Sequence, residues 1–124
     1  MYEDQSEIVT EMASALVEFA SKIDSSWKKA YYRFYIGGPE SGSIGSCVGR
    51  SGIHFIDGLT HVDFCNALNE LGKRLFSLFG QKRGLLLLSV DSNMEFNIDF
   101  EFEDLNKWRI IKSDGSSGIP EGIE

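Results

Sequence analysis

Acidic side chains are concentrated in one short segment near the end of the chain. Residues 94–104 hold five carboxylates and no basic side chain: Glu95, Asp99, Glu101, Glu103 and Asp104. Along a strand, every second side chain points to the same face, so carboxylates two residues apart lie roughly 7 Å apart. Such a row can hold a cation, act as a catalytic carboxylate pair, or attract a basic macromolecule.

Three interpretations of this acidic row are open. It is a solvated sheet face whose charges also discourage edge pairing, a negative surface that docks a basic partner, or a catalytic or metal site. The last of these needs a pocket and a further ligand, and nothing else in the sequence indicates either. We therefore predict that the five carboxylates form a contact surface for a protein partner, and we predict no catalytic residue, no metal and no cofactor.

One glycine-rich segment, GSCVGRS from Gly45 to Ser51, superficially resembles a phosphate-binding loop. It is one residue short of that motif and has Arg50 in place of its lysine. It also continues into the predicted strand Ile-His-Phe-Ile at residues 53–56 instead of a helix. A flexible hairpin is the better interpretation.

Histidine and cysteine are too scattered to indicate a site. His54 and His61 are the only histidines, and Cys47 and Cys65 are the only cysteines. Without a CxxC motif or a Cys/His cluster, neither a zinc site nor a disulfide scaffold is predicted. A nucleophile–base pair would require contacts that this spacing does not supply, so we expect structural roles for all four residues.

Aromatic and basic residues lie close together between Trp27 and Tyr35, as they do in proteins that stack on single-stranded nucleic acid. The whole chain has 12 basic and 19 acidic residues, a net charge of −7, which opposes recognition of phosphates. We therefore expect these aromatic residues to fill a core and expect no direct binding of nucleic acid.

The composition is that of a soluble globular domain. The 124 residues are 42% hydrophobic and 25% charged. The longest aliphatic run, residues 85–88, is far too short to span a membrane. Residues 1–7 are acidic, whereas a signal peptide begins with a basic and then an apolar segment. We expect a cytoplasmic protein that makes no contact with a membrane.

Two amphipathic helices are predicted, over about residues 5–24 and 61–79, because apolar residues recur in both at three- and four-residue intervals. Asp4 followed by Glu7 can cap the start of the first helix. Thr60 with Asp63 can cap the second, and Gly80 is well placed to end it.

Strands are predicted at residues 27–36, 44–48, 53–56, 85–90 and 94–102, with a further short strand at 108–111. Short turns connect most of them, which favours a mainly antiparallel sheet. The predicted fold class is therefore α+β, a sheet of about five strands with the two principal helices packed on one face. We expect a single domain over residues 1–112 and a flexible tail over 113–124, which holds three glycines and a proline.

Two stretches resemble a known family. One is SWKKAYY at residues 26–32, an aromatic strand that follows an amphipathic helix, and the other is FNIDFEFEDL at residues 96–105. Together they resemble the YezG-like immunity proteins of bacterial polymorphic-toxin and contact-dependent growth inhibition systems, over roughly residues 5–112. The resemblance implies a cytoplasmic antitoxin, not an enzyme, that binds and blocks the toxic C-terminal domain of its cognate toxin, often a nuclease. It implies no residue roles, because partner surfaces in such families vary with the toxin.

The charge pattern and the resemblance lead to the same prediction. The chain is expected to be an immunity protein that neutralises a basic nuclease toxin, such as an RNase or tRNase, through its acidic row. An acidic adaptor or secretion chaperone is the alternative, and a carboxylate-based hydrolase is a third.

Overall fold

Among the described residues, a helix, three strands, a second helix and two strands follow one another along the chain. The computed structural model describes residues 4–111 and 117–123. Its elements are α1 (Gln5–Ile23), β1 (Trp27–Gly37), β2 (Glu40–Gly49), β3 (Gly52–Ile56), α2 (Val62–Leu78), β4 (Arg83–Asp91) and β5 (Phe96–Glu101).

The start of α1 is capped as the sequence predicts. The Asp4 carboxylate accepts a hydrogen bond from the backbone N–H of Glu7 at 2.9 Å, which satisfies one of the free donors of the first turn. The helix ends at Ile23, where Asp24 becomes extended and donates its N–H to the carbonyl of Ala20. The apolar stripe of α1 is buried against the sheet.

The predicted cap of α2 is wrong, although the helix itself is confirmed. His61 is the N-cap residue and makes no side-chain cap. The Asp57 carboxylate accepts instead from the N–H groups of Leu59 and Thr60, so the polar residues before α2 form a separate turn. At the other end, Gly80 adopts φ +69° and Gln81 donates to the carbonyl of Phe76, as expected of a helix that closes on glycine.

All five strands belong to one antiparallel sheet with the order β3-β2-β1-β4-β5. The connection through α2 carries the chain from β3 at one edge to β4 on the other side of β1. Both helices pack on one face, against Tyr32 and Phe34 of β1 and Leu86 and Leu88 of β4, among others. The α+β prediction is confirmed.

The other face of the sheet, here called the second face, carries a smaller apolar cluster centred on Tyr31, Leu87 and Ile110. Residues 117–123, which belong to the predicted tail, contact this face. Ser46 donates its hydroxyl to the carbonyl of Gly118, and Glu121 donates its N–H to the carbonyl of Arg109 at 2.9 Å. The rest of the predicted tail, 113–116 and 124, lies outside the described residues.

Three strand predictions differ from the structure. β2 begins at Glu40 instead of residue 44, because residues 40–43 already pair with the end of β1. β5 begins at Phe96 instead of residue 94, because the Asp91 carboxylate accepts hydrogen bonds from the N–H groups of Asn93 and Glu95 and so lengthens the turn. Met94, inside that turn, adopts φ +67°. The predicted strand at 108–111 is absent. Trp108 adopts φ +57°, which an extended strand cannot accommodate.

Candidate functional site

The register of β5 with β4 divides its side chains between the two faces of the sheet. Asn97, Asp99 and Glu101 lie opposite Ser89, Leu87 and Leu85. Leu87 belongs to the apolar cluster of the second face, so these three polar residues share that face. Ile98 and Phe100 pack on the opposite side, against the core under the helices. The alternation predicted from the sequence is therefore confirmed within the strand.

The five carboxylates predicted as a contact surface are named the acidic edge: Glu95, Asp99, Glu101, Glu103 and Asp104. Only Asp99 and Glu101 lie within β5. Glu95 lies in the turn before the strand, and Glu103 and Asp104 lie in the turn after it. The structure thus brings the five residues to one edge of the sheet, but not into a single straight row.

Glu101 is engaged by the protein itself. Its Oε2 accepts hydrogen bonds from the backbone N–H groups of Glu103 and Asp104, both at 3.1 Å, and its Oε1 lies 3.0 Å from Lys107 Nζ. These donors favour the charged carboxylate and lower the pKa of Glu101 to about 2, with the Asp104 N–H contributing most. The side chain, 20% exposed, thereby holds the turn that follows β5.

The other members of the acidic edge are more available. Asp99 accepts a hydrogen bond from the Asn97 side-chain amide at 2.9 Å, and Asp104 accepts one from the N–H of Asn106 at 3.0 Å. Glu95 and Glu103 are exposed, and their carboxylates make no hydrogen bond or ion pair with any described residue. These four carboxylates retain oxygen lone pairs that a partner can reach.

Two arginines fix the turn after β5 to the rest of the sheet. Arg33 of β1 donates to the carbonyls of Lys107 and Leu105 at 2.8 and 2.6 Å. Arg83 of β4 donates to the carbonyl of Glu103 at 3.0 Å. The positions of Glu103 and Asp104 are therefore set by contacts from two neighbouring strands, so that the carboxylates are presented from a held backbone.

A groove of about 300 Å³ lies beside the acidic edge on the second face. Three of its lining residues are carboxylates, Asp91, Glu95 and Asp99, and one is the cation Lys29. Tyr31 and Ile123 supply apolar surface. An excess of negative charge over an apolar floor suits the side chain of a lysine or arginine, whose alkyl chain packs while its cationic head pairs.

The opposite side of β5 has an apolar border. Met94 is 67% exposed, Phe96 48% and Phe102 38%. Met94 and Phe96 line a second groove, of about 250 Å³, which is bounded on its other side by Ala13 and Val17 of α1. Exposed apolar groups next to charged ones are typical of surfaces that bind another protein.

Cys47 and Cys65 are both buried and free. Burial raises the pKa of both thiols, that of Cys47 to about 11. The thiolate is the nucleophilic form of cysteine, so neither thiol is activated.

Sequence reasoning missed a polar cluster around Asp24, at the end of α1. Its carboxylate accepts hydrogen bonds from the N–H and hydroxyl of Ser26 and from the hydroxyl of Ser51, and lies 3.6 Å from His54 Nε2. Chiefly the Ser51 and Ser26 bonds lower the pKa of Asp24 to about 2. The only signal in the sequence was the polar run that ends the helix.

Aspartate, histidine and serine are the residue types of an acyl-transfer triad, but their arrangement here is different. In a triad the imidazole lies between the serine and the carboxylate, one on each ring nitrogen. Here Ser51 and Asp24 both approach His54 Nε2, at 3.4 and 3.6 Å, and the Ser51 hydroxyl donates a hydrogen bond to the Asp24 carboxylate. The cluster therefore joins the end of α1 to the turn between β2 and β3.

The remaining candidate motifs lie within the sheet and its turns. The segment Gly45–Ser51 forms part of β2 and the tight turn into β3, where Gly49 pairs with Gly52, as the hairpin interpretation predicts. The aromatic residues Trp27, Tyr31, Tyr32 and Phe34 of β1 are buried on the two faces of the sheet. They are therefore not available to stack on bases.

Further findings bear on the class of protein. Within residues 4–111 and 117–123, no three His, Cys, Asp or Glu side chains form a group that could hold a metal ion. Neither α1 nor α2, the helices of the described chain, is long and apolar enough to cross a membrane. No family model matches the sequence, and a comparison with curated proteins found no match. The acidic edge and its surroundings are therefore the features of the described residues that indicate a function.

Proposed function

We propose that this chain is a cytoplasmic immunity protein, an inhibitor without enzymatic activity that binds the toxic C-terminal domain of a bacterial nuclease toxin. The observation that carries the proposal is the acidic edge, whose carboxylates lie beside a groove and beside exposed apolar side chains. The resemblance of residues 26–32 and 96–105 to YezG-like immunity proteins supports the same class.

The chemistry of a nuclease explains why an acidic surface inhibits it. A nuclease holds a phosphodiester backbone, so its cleft carries basic side chains. Carboxylates such as Glu95, Asp99 and Glu103 present negative charge to that cleft in place of phosphate groups. Their long-range attraction also raises the rate of association, which matters for an inhibitor that must bind before damage accumulates.

Charge alone does not supply affinity, which in protein interfaces comes mainly from a few well-packed groups at the centre. Met94 and Phe96 are exposed next to Glu95 and provide an apolar area of this kind. The internal contacts of Glu101 support a different role for that residue, which is to position Glu103 and Asp104. The proposed contact surface is accordingly Glu95, Asp99, Glu103 and Asp104, and Glu101 holds the turn that carries the last two.

The test of the proposal begins with the partner. The tagged chain is expressed in its native bacterium, and the proteins that co-purify with it are identified by mass spectrometry. The C-terminal domain of the recovered partner is then expressed alone and together with this chain. We expect a basic domain that cleaves nucleic acid and kills cells only when this chain is absent.

Two outcomes contradict the proposal. A recovered partner that is harmless on its own favours the acidic adaptor or secretion chaperone. A toxic partner that kills equally well in the presence of this chain excludes the antitoxin function, even if the two proteins bind.

A further inference from the structure

We propose that β5 binds its partner by strand addition, in which an extended segment with alternating basic and apolar side chains pairs with the free edge of β5. The inference rests on the proposed function, since it specifies how the same surface holds the toxin domain. It depends on the direction of the backbone groups of β5, the side chains that flank them, and the charge of the strand.

The register shows which backbone groups of β5 point outward. The N–H of Asp91 donates to the carbonyl of Glu95 at 3.0 Å. The backbone groups of this pair therefore point inward, into the space between β4 and β5. Inward and outward positions alternate along an antiparallel pair. Asn97, Asp99 and Glu101 therefore direct their backbone groups toward β4, whereas those of Phe96, Ile98 and Phe100 point away from the sheet.

The other side of β4 is consistent with this assignment. Ser92 donates its N–H to the carbonyl of Lys28 at 3.0 Å, and Lys82 accepts from the N–H of Gly38 at 3.2 Å. Just beyond both ends of β4, even-numbered residues thus direct their backbone groups toward β1. By the alternation along the strand, the odd-numbered residues of β4 direct theirs toward β5. β5 is the last strand in the sheet, and no described strand pairs with the three outward N–H and three outward C=O groups.

The side chains along β5 define what an added strand must carry. In an antiparallel pair, residues that lie directly opposite project to the same face. On the helix side an added strand meets Phe96, and beyond the ends of β5 it meets Met94 and Phe102, all partly exposed and apolar. On the second face it meets Asp99, with Glu95 close by. Apolar side chains therefore fit one side of the added strand and lysine or arginine fits the other.

A second copy of this chain is a poorer occupant than a basic segment. Two β5 strands paired edge to edge would place their Asp99 and Glu101 side chains along one shared face. Like charges opposite each other on neighbouring strands are destabilising. Charged side chains on an exposed edge strand also hinder unwanted pairing. A strand with basic side chains reverses the sign of that interaction, so the same carboxylates that oppose self-pairing favour the partner.

The other free edge of the sheet lacks this complementarity. β3 spans five residues, Gly52–Ile56, and carries no acidic side chain. On the second face its Ile53 lies close to Gly118, within residues 117–123, so that face of β3 is partly covered. The observations therefore assign the added strand to β5.

The experiment uses an acetylated hexapeptide of alternating lysine and valine as the probe and amide hydrogen exchange, read by NMR, as the measurement. With wild-type protein, saturating peptide is expected to slow the exchange of the Phe96, Ile98 and Phe100 amides. The amides of Asn97, Asp99 and Glu101, already bonded to β4, serve as internal references. No protection of the three outward amides at millimolar peptide overturns the proposal. Protection that rises with protein concentration in the absence of peptide also overturns it, by assigning the edge to a second copy.

A pair of variants tests the hydrogen bond that the outward N–H of Ile98 would donate to an added strand. Ile98→Pro removes the outward N–H, which an edge strand tolerates, and Ile98→Ala removes similar side-chain bulk but keeps the N–H. We expect Ile98→Pro to bind the peptide about tenfold more weakly than Ile98→Ala, as for loss of one hydrogen bond. Equal affinities contradict strand addition. Thermal unfolding checks that both variants fold, and the exchange measurement on the wild-type chain needs neither.

The same variants separate this inference from the proposed function. If wild type and Ile98→Pro neutralise the recovered toxin domain equally, strand addition is wrong and the antitoxin function stands. If wild type neutralises no toxin, the proposed function fails, while the peptide measurement still decides how the edge of β5 behaves.

Discussion

Glu101 is the member of the acidic edge whose charge the protein uses for its own structure. The alternating sequence pattern of residues 94–102 does not distinguish the role of Asp99 from that of Glu101. The structure distinguishes them, because Glu101 accepts two backbone N–H groups and pairs with Lys107. Those contacts come from a turn whose shape is set by Arg33, more than 70 residues earlier in the chain. A local pattern in the sequence carries no sign of them.

Glu101→Gln is expected to lower the melting temperature at pH 7. As the pH is lowered, the melting temperature of the variant should fall less than that of wild type. The pKa of Glu101 is lowered from 4.5 to about 2, so its carboxylate stabilises the fold above about pH 4.5. That contribution is lost as the pH falls through 4.5 toward 2. The difference in melting temperature between wild type and variant should therefore shrink over this interval, as measured by thermal unfolding at a series of pH values.

Glu103→Gln is the matched control for this measurement. Its exposed carboxylate accepts no hydrogen bond from the described residues, so we expect little change at any pH. Asp24, whose pKa is also about 2, is present in all three proteins and cancels from the comparison. A Glu101→Gln difference that stays constant from pH 7 to pH 2 would show that the carboxylate charge is not what holds the turn.

At the scale of the elements, α2 approaches the sheet closely because Gly84 of β4 has no side chain. A Cβ at Gly84 would lie 2.5 Å from Phe76 and 3.0 Å from Phe102. Phe76 is 1% exposed and packs against Phe79, Phe100 and Phe102, so its ring has little room to move. The contact fixes the distance between α2 and the end of the sheet that carries β5.

Gly84→Ala is therefore expected to reduce the free energy of unfolding by roughly 1–3 kcal/mol, the usual cost of overpacking a core. The better strand propensity of alanine offsets only part of this, roughly 0.5–1 kcal/mol. Urea unfolding of both proteins measures the difference. Gly58→Ala is the control, because a Cβ at Gly58 meets nothing within 4 Å and its φ is not positive. Equal stability of the two variants would contradict the close approach.

Elements with a regular apolar period were predictable from the sequence, whereas their ends and connections were not. The stripes of α1 and α2 and the alternation in β5 are local, so both helices and five strands were placed correctly to within a few residues. The end of the β4–β5 turn depends on where the Asp91 carboxylate finds donors. Trp108, apolar and aromatic, is typical of a strand, yet its positive φ excludes one.

The candidate site was predictable in part for the same reason. Its carboxylates could be found from their spacing alone. The groove that adjoins them also needs Lys29 from β1, Asp91 from β4 and Ile123 from the C-terminal segment. Those three residues come together only through the pairing of β1 with β4 and the packing of 117–123 on the second face. Neither follows from the local sequence.

At the scale of the whole molecule, the net charge of −7 and the acidic edge act on a partner at different distances. The net charge attracts any basic protein, whereas the acidic edge directs that attraction to β5. Exchanging carboxylates at the edge and elsewhere separates the two effects. Glu95, Asp99 and Glu103 are changed to Lys in one triple variant. Glu11, Glu40 and Glu70, exposed and distant in sequence from β5, are changed to Lys in the other.

The edge variant is expected to associate with the recovered toxin domain roughly ten- to a hundredfold more slowly than wild type in 0.1 M salt. The distal variant, with the same net charge, should lose several-fold less, because its carboxylates lie outside the acidic edge. In 1 M salt the Debye length falls from about 10 Å to about 3 Å, so the rates of all three proteins should converge. Stopped-flow measurement at the two salt concentrations gives these rates.

If both variants slow association equally, the net charge alone attracts the toxin and the edge does not steer it. If neither variant nor salt changes the rate, the prediction that charge speeds association is wrong. The exposed apolar side chains of Met94 and Phe96 are then the better candidates for the contact with the toxin.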